Sequence, residues 1–597
     1  MTRILFALLL SVPAYATAIT GRVTIGDAAA GGVTVTVTAE SLQHPRTTIT
    51  NARGAYFIDM LPPGLYDVTF SKSGMTTLTR RAKVELDRVA RADAKLEPSA
   101  DEDSVTSTAT QNNVADTTAV TSHFDDATLD RLPGRDYAPA IAPDAYSPSA
   151  VAVDGITQFS TIVGPEETVQ EVTVTRAGAP VQTESYGGRV LAIQRRSGRE
   201  QFFLSLRDTI SNEAWNDGGP FFQRGDGLRN RFEAYGGGRI VSQRLWFFAS
   251  AWNGGDATRY TTRDRGVLLK LDGQVGAAHH FDATYARGGD RTYAETNAWS
   301  ASLRHTGVFG TSVVTDTVIS RSTESGLFPP AQGPIGPRHG EDFIATTVSY
   351  AAGDHVLTAG ARAWDAQGYD SHALFVGDRW SAPRFVVDAG LRYGEVDGGR
   401  DSFEPRVAMT YDLRGDGTRA ISATFGRYAF GNAGGPVQRV ASVGFASTIG
   451  NTGTARIDLL RRTDAYDRTM HSLQLDTRYR LFDRFEAGAT YTYSRFSDSN
   501  LFVLYEPAHS GNAWISAQLP LGPGEFGATM LQRYIQFRTF EISGLESRSV
   551  LPTDFALRYS FPISRVGVTF ATDVVNAFGS KSYIVPRTVR VWTRVRL

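Results

Sequence analysis

The sequence predicts a mainly β protein whose largest part is a transmembrane antiparallel β-barrel of about 22 strands, preceded by a β-sandwich and a small α+β unit. Three observations carry this. From residue 199 onward, alternating segments of about ten residues follow one another with hardly any helical periodicity, and that is the length a tilted membrane strand needs. One face of these segments stays polar along nearly its whole length, as a watery lumen requires, and Tyr, Phe and Trp recur near the segment ends, as in interfacial girdles. The closing segment TVRVWTRVRL sets Val589, Val591, Val595 and Leu597 on one face and Arg590, Trp592, Arg594 and Arg596 on the other. An arginine facing lipid at mid-depth costs about 2–4 kcal/mol, so the valines face lipid and the arginines the lumen.

The elements ahead of the barrel follow from the N-terminus. Residues 1–18 read as a secretory signal: a basic start (MTR), an apolar core (ILFALLLSV) and a small-residue cleavage site at Ala16–Ala18, so that the mature chain begins near Ile19. The apolar run is too short to span a membrane as a helix. Residues 19–97 alternate in short strands. GRVTIG and GGVTVTVTAE form a pair, a turn at Asn51 and Gly54 leads into AYFIDM, and the turn LPPG leads into LYDVTF, the pattern of a small β-sandwich. Residues 98–123 are rich in Ser, Thr, Asp and Asn without periodicity and read as a flexible linker. Residues 124–198 form the α+β unit, with a short amphipathic helix whose apolar contacts are Phe124, Leu129 and Leu132, then strands AVAVDGI, ETVQEVTVTRAG and GGRVLAIQRRSG. Residues 199–597 are the barrel. FEAGATYTYSRF sets Phe485, Ala487, Ala489, Tyr491 and Tyr493 on one face; FVVDAGLRYG sets Phe385, Val387 and Leu391 opposite Asp388 and Arg392; VGVTFATDV sets Val566, Val568, Phe570 and Val574 together.

Composition excludes several functions. With 21% charged residues and a net charge of −1 there is no basic bias, which speaks against a nucleic-acid partner. The absence of cysteine removes disulfides, thiolate metal sites and a Cys nucleophile, and suits a chain that crosses an oxidising periplasm. No H-E-x-x-H, Walker A or G-x-S-x-G motif is present, and the adjacent His279 and His280 point to opposite faces of a strand, so the expectation is a non-enzyme with no cofactor and no metal.

Gly21, VTVTV, N-x-x-G-x-Y (Asn51–Tyr56), LPPG-x-Y and Gly74 resemble the carboxypeptidase-regulatory-like domain, a transthyretin-like sandwich. The order of units resembles a TonB-dependent outer-membrane receptor of the Oar-like subgroup. LDRLPGRDY (Leu129–Tyr137), VDG (Val153–Gly155) and ETVQEVTVTRAGAPVQTESYGGRVLAIQRRSG (Glu167–Gly198) resemble that family's internal plug. NRFEAYGGGRIVSQRLWFFASAWNG (Asn230–Gly254) resembles the first barrel hairpin, FEPRVAMTYD (Phe403–Asp412) a mid-barrel strand pair and DVVNAFGSKSY (Asp573–Tyr583) the penultimate strand.

The resemblance implies an outer-membrane location with the sandwich in the periplasm, and energised uptake of an unidentified extracellular ligand. It implies as partners the TonB complex acting on the linker, outer-membrane lipid and the barrel assembly machinery. The candidate TonB box is Glu102, Asp103, Ser104, Val105, Thr106, Ser107 and Thr108, placed to pair with TonB by strand addition. The lumen arginines Arg392, Arg590, Arg594 and Arg596 either favour an anionic ligand or, the better reading, belong to Arg–carboxylate networks that pin the plug. The family's usual plug loops are shortened between GRDY and VDG, and the chain ends in Leu597 where the family often has an aromatic residue. The short loops leave a second reading open: a passive channel, or a surface or adhesion protein on a receptor-derived barrel.

Overall fold

The computed structural model describes residues 18–597 except 40–41, 43–44, 59–60, 62–63, 85–88, 99–104, 107–113, 116, 134–149, 158–163, 186–187, 216–226, 255–262, 277, 292–294, 311, 326–338, 367–368, 397–400, 431–434, 451, 465–468, 482–483, 497–508, 542–543 and 579–586. The signal segment, most of the candidate TonB box and the stretch between GRDY and VDG therefore lie outside the described residues. No described helix is long and apolar enough to cross a membrane.

The sandwich consists of two sheets. In one, Ala18–Ile25 is central and pairs with Ala55–Ile58, Ala28–Ala29, Val89–Arg91 and Ala94–Leu96. The other runs Val105–Thr106, Thr77–Val84, Gly64–Ser71, Thr34–Thr38, Arg46–Ile49. The alternation read from the sequence fills the space between them: Val35, Val37, Tyr66, Val68 and Phe70 point inward against Ile19 and Val23. Gly54 sits at φ +72, and a Cβ there would lie 2.3 Å from the Val23 carbonyl oxygen, so the turn at Asn51–Gly54 demands glycine twice over.

The plug is one five-stranded sheet ordered Val120–Asp125, Val169–Ala177, Val190–Arg195, Ala150–Val153, Ile156–Thr157. Its first strand opens a few residues ahead of Phe124, inside the stretch that composition alone reads as linker. The helix Asp126–Arg131 follows at once, capped by the Asp125 carboxylate, which accepts from the Thr128 amide at 2.9 Å. Phe124 and Leu132 are buried with Val153, Val169 and Val172 against Trp514 and Leu531 of the barrel wall, and Leu129 packs beside them.

Twenty-two antiparallel strands close the barrel. The first, Phe203–Asn212, pairs with the last, Thr588–Arg596. One strand is broken at Leu551–Pro552: Gly544–Val550 and Thr553–Ile563 both pair with the long strand Gly524–Glu541, because proline has no N–H to keep the ladder continuous. NRFEAYGGGRIVSQRLWFFASAWNG forms the second and third strands, Leu228–Val241 and Leu245–Gly254, and FEPRVAMTYD is a single strand, Ser402–Asp412, not a pair.

The faces fall as the alternation requires. Leu269, Leu374, Leu459, Ile515 and Val591 are exposed on the outer wall, whereas Arg590, Trp592 and Arg594 are buried inside. Five of the eight tryptophans depart from the girdle expectation, whereas Trp380 is exposed on the outer wall at the short-turn end. Trp246, Trp252, Trp364, Trp514 and Trp592 are buried on the inner face, where indole N–H groups reach carboxylates, as Trp592 does to Asp573 at 2.9 Å. Phe and Tyr form the outer girdle, with Phe309, Phe385 and Tyr350 at the short-turn end and Phe403 and Tyr393 at the other.

Candidate functional site

The site is the contact between plug and barrel wall. Three patches of it are polar, and each is built from strand residues whose inward parity is set by the barrel.

The first lies at the barrel seam. Arg207 of the first strand and Arg594 of the last are directly opposed. Like charges so placed repel. Glu167, in the 3-10 turn Glu166–Thr168 of the plug, comes between them, accepting from Arg207 at 2.7 Å and Arg594 at 3.3 Å, with Arg596 at 3.6 Å. Asp130, near the end of the plug helix, also takes the Arg594 guanidinium with both oxygens, one of them at 2.9 Å. The two guanidinium groups flank the Trp592 ring, Arg207 at 4.1 Å and Arg594 at 5.3 Å from its centroid. On its other side the helix is tied by Arg131 to Glu486 and by Asp126 to Arg196. A cavity of about 520 Å³ separates it from the wall, lined by Asp126, Asp130, Arg558 and Arg596 among others.

The second patch is the VDG turn. Asp154 has φ 47 and Gly155 φ 83, the left-handed pair of a tight hairpin turn. The Asp154 carboxylate accepts from the amide and the guanidinium of Arg195 at 2.8 Å each and from Lys270 of the wall at 3.4 Å. Arg304 donates to the Asp154 carbonyl at 2.8 Å. In the third patch Glu184 takes Arg362 at 2.8 Å and Arg392 at 2.6 Å, while Arg406 donates to the carbonyls of Pro180 and Thr183 and pairs with Glu404 at 2.7 Å. The entry to the plug is held too: Thr118 donates to Asp388, and Ser122 to Asp476, at 2.5 Å each.

Burial alone would raise each plug carboxyl. At Asp154, Arg195 and Lys270 outweigh it and bring the pKa down to about 2. At Glu167, Arg594 and Arg207 do the same, also to about 2. Burial is likewise overcome at Asp130 by Arg594, which holds the group well below the ordinary range, and at Glu184 by Arg392 and Arg362. A carboxyl depressed in the docked plug favours docking fully above its ordinary pKa of about 4, and that contribution is lost as pH falls toward the docked value. Plug docking is therefore expected to be insensitive to pH from roughly 8 to 5 and to weaken below about 4. Hydrogen exchange of the plug strand Val169–Ala177, measured across that range, checks this; weakening already near neutrality would contradict it.

Comparison with known proteins agrees with this architecture. Residues 18–97 match the carboxypeptidase regulatory-like domain. The chain is 28% identical over 268 residues to the TonB-dependent transporter Oar of Myxococcus xanthus, a match covering 37% of this chain and a quarter of that relative's length. The fold superposes on BauA, the ferric preacinetobactin receptor from Acinetobacter baumannii, with a TM-score of 0.65 at 11% identity, covering 81% of this chain and 97% of that one. The chain is homologous over part of its length to the TonB-dependent transporter Oar, and its fold is that of the TonB-dependent receptors. The ferric citrate transporter FecA in its unliganded form matches this chain at a TM-score of 0.62 and 14% identity over 81% of this chain and 98% of its own. The barrel lies in the outer membrane.

Of the residues singled out in the sequence, Arg392, Arg594 and Arg596 contact plug carboxylates, and Arg590 is buried on the inner face. Within the candidate TonB box, Val105–Thr106 is described, and it adds in parallel to the sandwich edge at Thr77–Leu78. His279 and His280 do diverge, but His279 meets His305 of the next strand, Nδ1 to Nε2 at 3.1 Å. Asp130, Asp154, Glu167 and Glu184 went unrecognised as anchors. Their motifs were visible, but the partners lie far away in sequence.

Proposed function

We propose that the receptor takes up a ligand across the outer membrane by TonB-driven transport, and that it is not an enzyme. The observation that supports this best is the manner of plug retention. The plug is held by discrete ion pairs set among separate apolar clusters, such as Phe124 with Trp514 and Leu531 or Ile156 with Phe343 and Trp364, and a chain pulled from one end can release such contacts in succession. The strand Val120–Asp125, where a pull along the linker arrives, is held to the wall by hydroxyl–carboxylate bonds at Ser122 and, just ahead of the strand, at Thr118. The sandwich sits at the short-turn end, since Arg22 pairs with Asp354 in the turn between His339–Ala352 and His355–Ala366 at 2.8 Å. Short turns face the periplasm in such barrels, so this end meets TonB. Val105–Thr106 already has the extended form that strand addition uses. Oar is described as a TonB-dependent transporter, and BauA and FecA as a receptor and a transporter of ferric compounds, but the ligand here is not transferred from them.

The test is a pull-down of the full-length receptor in detergent by the periplasmic domain of TonB. The control replaces residues 102–108 with Gly and Ser, leaving 117–125 intact because they belong to the plug. Binding lost only in the control supports the reading. Absence of binding by the unaltered receptor overturns it and favours the passive channel, which conductance measurements would then show.

A further inference from the structure

The cavity of about 520 Å³ beside the plug helix exists because the wall there is built from small side chains. Ser516, Gly527, Ala556, Ser560, Gly567 and Thr569 line its wall side. Its size falls within the range of small-molecule sites, about 300–1,000 Å³. It extends to the short-turn end, where Pro562 and Gly567, paired across the turn at Ser564–Arg565, also line it.

One long side chain rises among these small ones. Arg558 is half-buried, and its direct neighbours across the ladder are Gly527 and Ala571, which offer it no side-chain acceptor. It forms no ion pair among the described residues. Its guanidinium donates one hydrogen bond, from Nη2 to the Leu132 carbonyl at 3.3 Å, and its Nε has no partner. Other inner-face arginines differ: Arg207, Arg392 and Arg533 each hold a carboxylate at 2.6–2.7 Å. Beside Arg558, the two carboxylates of Asp130 and Glu167 are shared by three guanidinium groups, those of Arg207, Arg594 and Arg596. Arg596 stands furthest from both, at 4.0 and 3.6 Å. Of the other lining carboxylates, Asp126 pairs with Arg196 and Glu525 is exposed at the rim. Arg558 thus has no carboxylate of its own, and Arg596 has one only by sharing.

We infer that this cavity binds a small organic anion through carboxylate or phosphate groups, with Arg558 as its principal ligand. A guanidinium presents parallel N–H donors that suit either group, and an anion beside it relieves a cation held away from bulk water without a counter-charge. The inference rests on the cavity and its charges, and it stands or falls independently of TonB.

The test is isothermal titration calorimetry of the full-length receptor in detergent at fixed ionic strength, with propane-1,2,3-tricarboxylate and pyrophosphate as probes. Saturable binding of at least one probe is expected, and the tighter of the two names the preferred group. Arg558→Gln should weaken it about tenfold or more, the worth of one hydrogen bond to a charged group. Gly527→Asp is the sharper variant. A Cβ at Gly527 would meet nothing closer than the Arg558 Cβ, at 3.8 Å, so the new side chain fits and gives Arg558 a carboxylate from within the chain. It should abolish binding, while Gly527→Asn, of the same size without the charge, retains it. Heat-dependent gel mobility reports whether each variant is a folded barrel, and if Arg558→Gln is not, the two Gly527 variants decide. The inference is overturned if neither probe binds the unaltered receptor saturably, if a folded Arg558→Gln or Gly527→Asp receptor binds as before, or if Gly527→Asn loses binding as fully as Gly527→Asp.

Discussion

Arg594→Gln is expected to loosen the plug by about 3 kcal/mol, the low end for breaking a buried ion pair. Arg594 touches both Asp130 and Glu167, each more closely than Arg596 does, and its side chain is only 5% exposed where that of Arg596 is 42% exposed. Without it Asp130 keeps only Arg596, at 4.0 Å, while Glu167 keeps Arg207 and Arg596. Hydrogen exchange in Val169–Ala177 should rise about a hundredfold, with the barrel strands unchanged. Exchange that stays at the unaltered level would show that the other two patches suffice to hold the plug, and that the seam is not its principal anchor.

Val591→Arg is the complementary experiment on the same strand. Val591 is 42% exposed on the outer wall between neighbours Ile210 and Thr572. At mid-depth the substitution should cost about 2–4 kcal/mol, and at Val595, nearer the short-turn interface, about 0–1 kcal/mol. Denaturant unfolding of the receptor reconstituted in vesicles measures both. A cost that does not depend on depth would mean that this face does not meet hydrocarbon.

The barrel was legible because its signal is local. Alternation in FVVDAGLRYG or TVRVWTRVRL needs no partner to be read, and parity alone sorted Arg392 and Arg594 from Leu391 and Val591. The five inner-face tryptophans misled because their size suits both a girdle and an interior where an indole N–H can reach a carboxylate; parity at Trp592 favoured the interior, and composition did not. The plug anchors were hidden for another reason. Glu167 and Arg594 are 427 residues apart, so nothing in either neighbourhood names the other. The start of the plug was blurred because Val120–Asp125 contains Thr, Ser and His, whose hydroxyl and imidazole groups are satisfied by Asp476 and Thr173 only once the chain is inside the barrel.

The opposed pair Arg207 and Arg594 has a consequence for the order of assembly. These residues belong to the first and last strands, so they meet only when the cylinder shuts, and an empty cylinder would have to bring two guanidinium groups together unaided. Glu167 turns that repulsion into a clasp. Docking of the plug and closure of the wall are thus coupled energetically: a seam closed without Glu167 bears a repulsion that the docked plug removes.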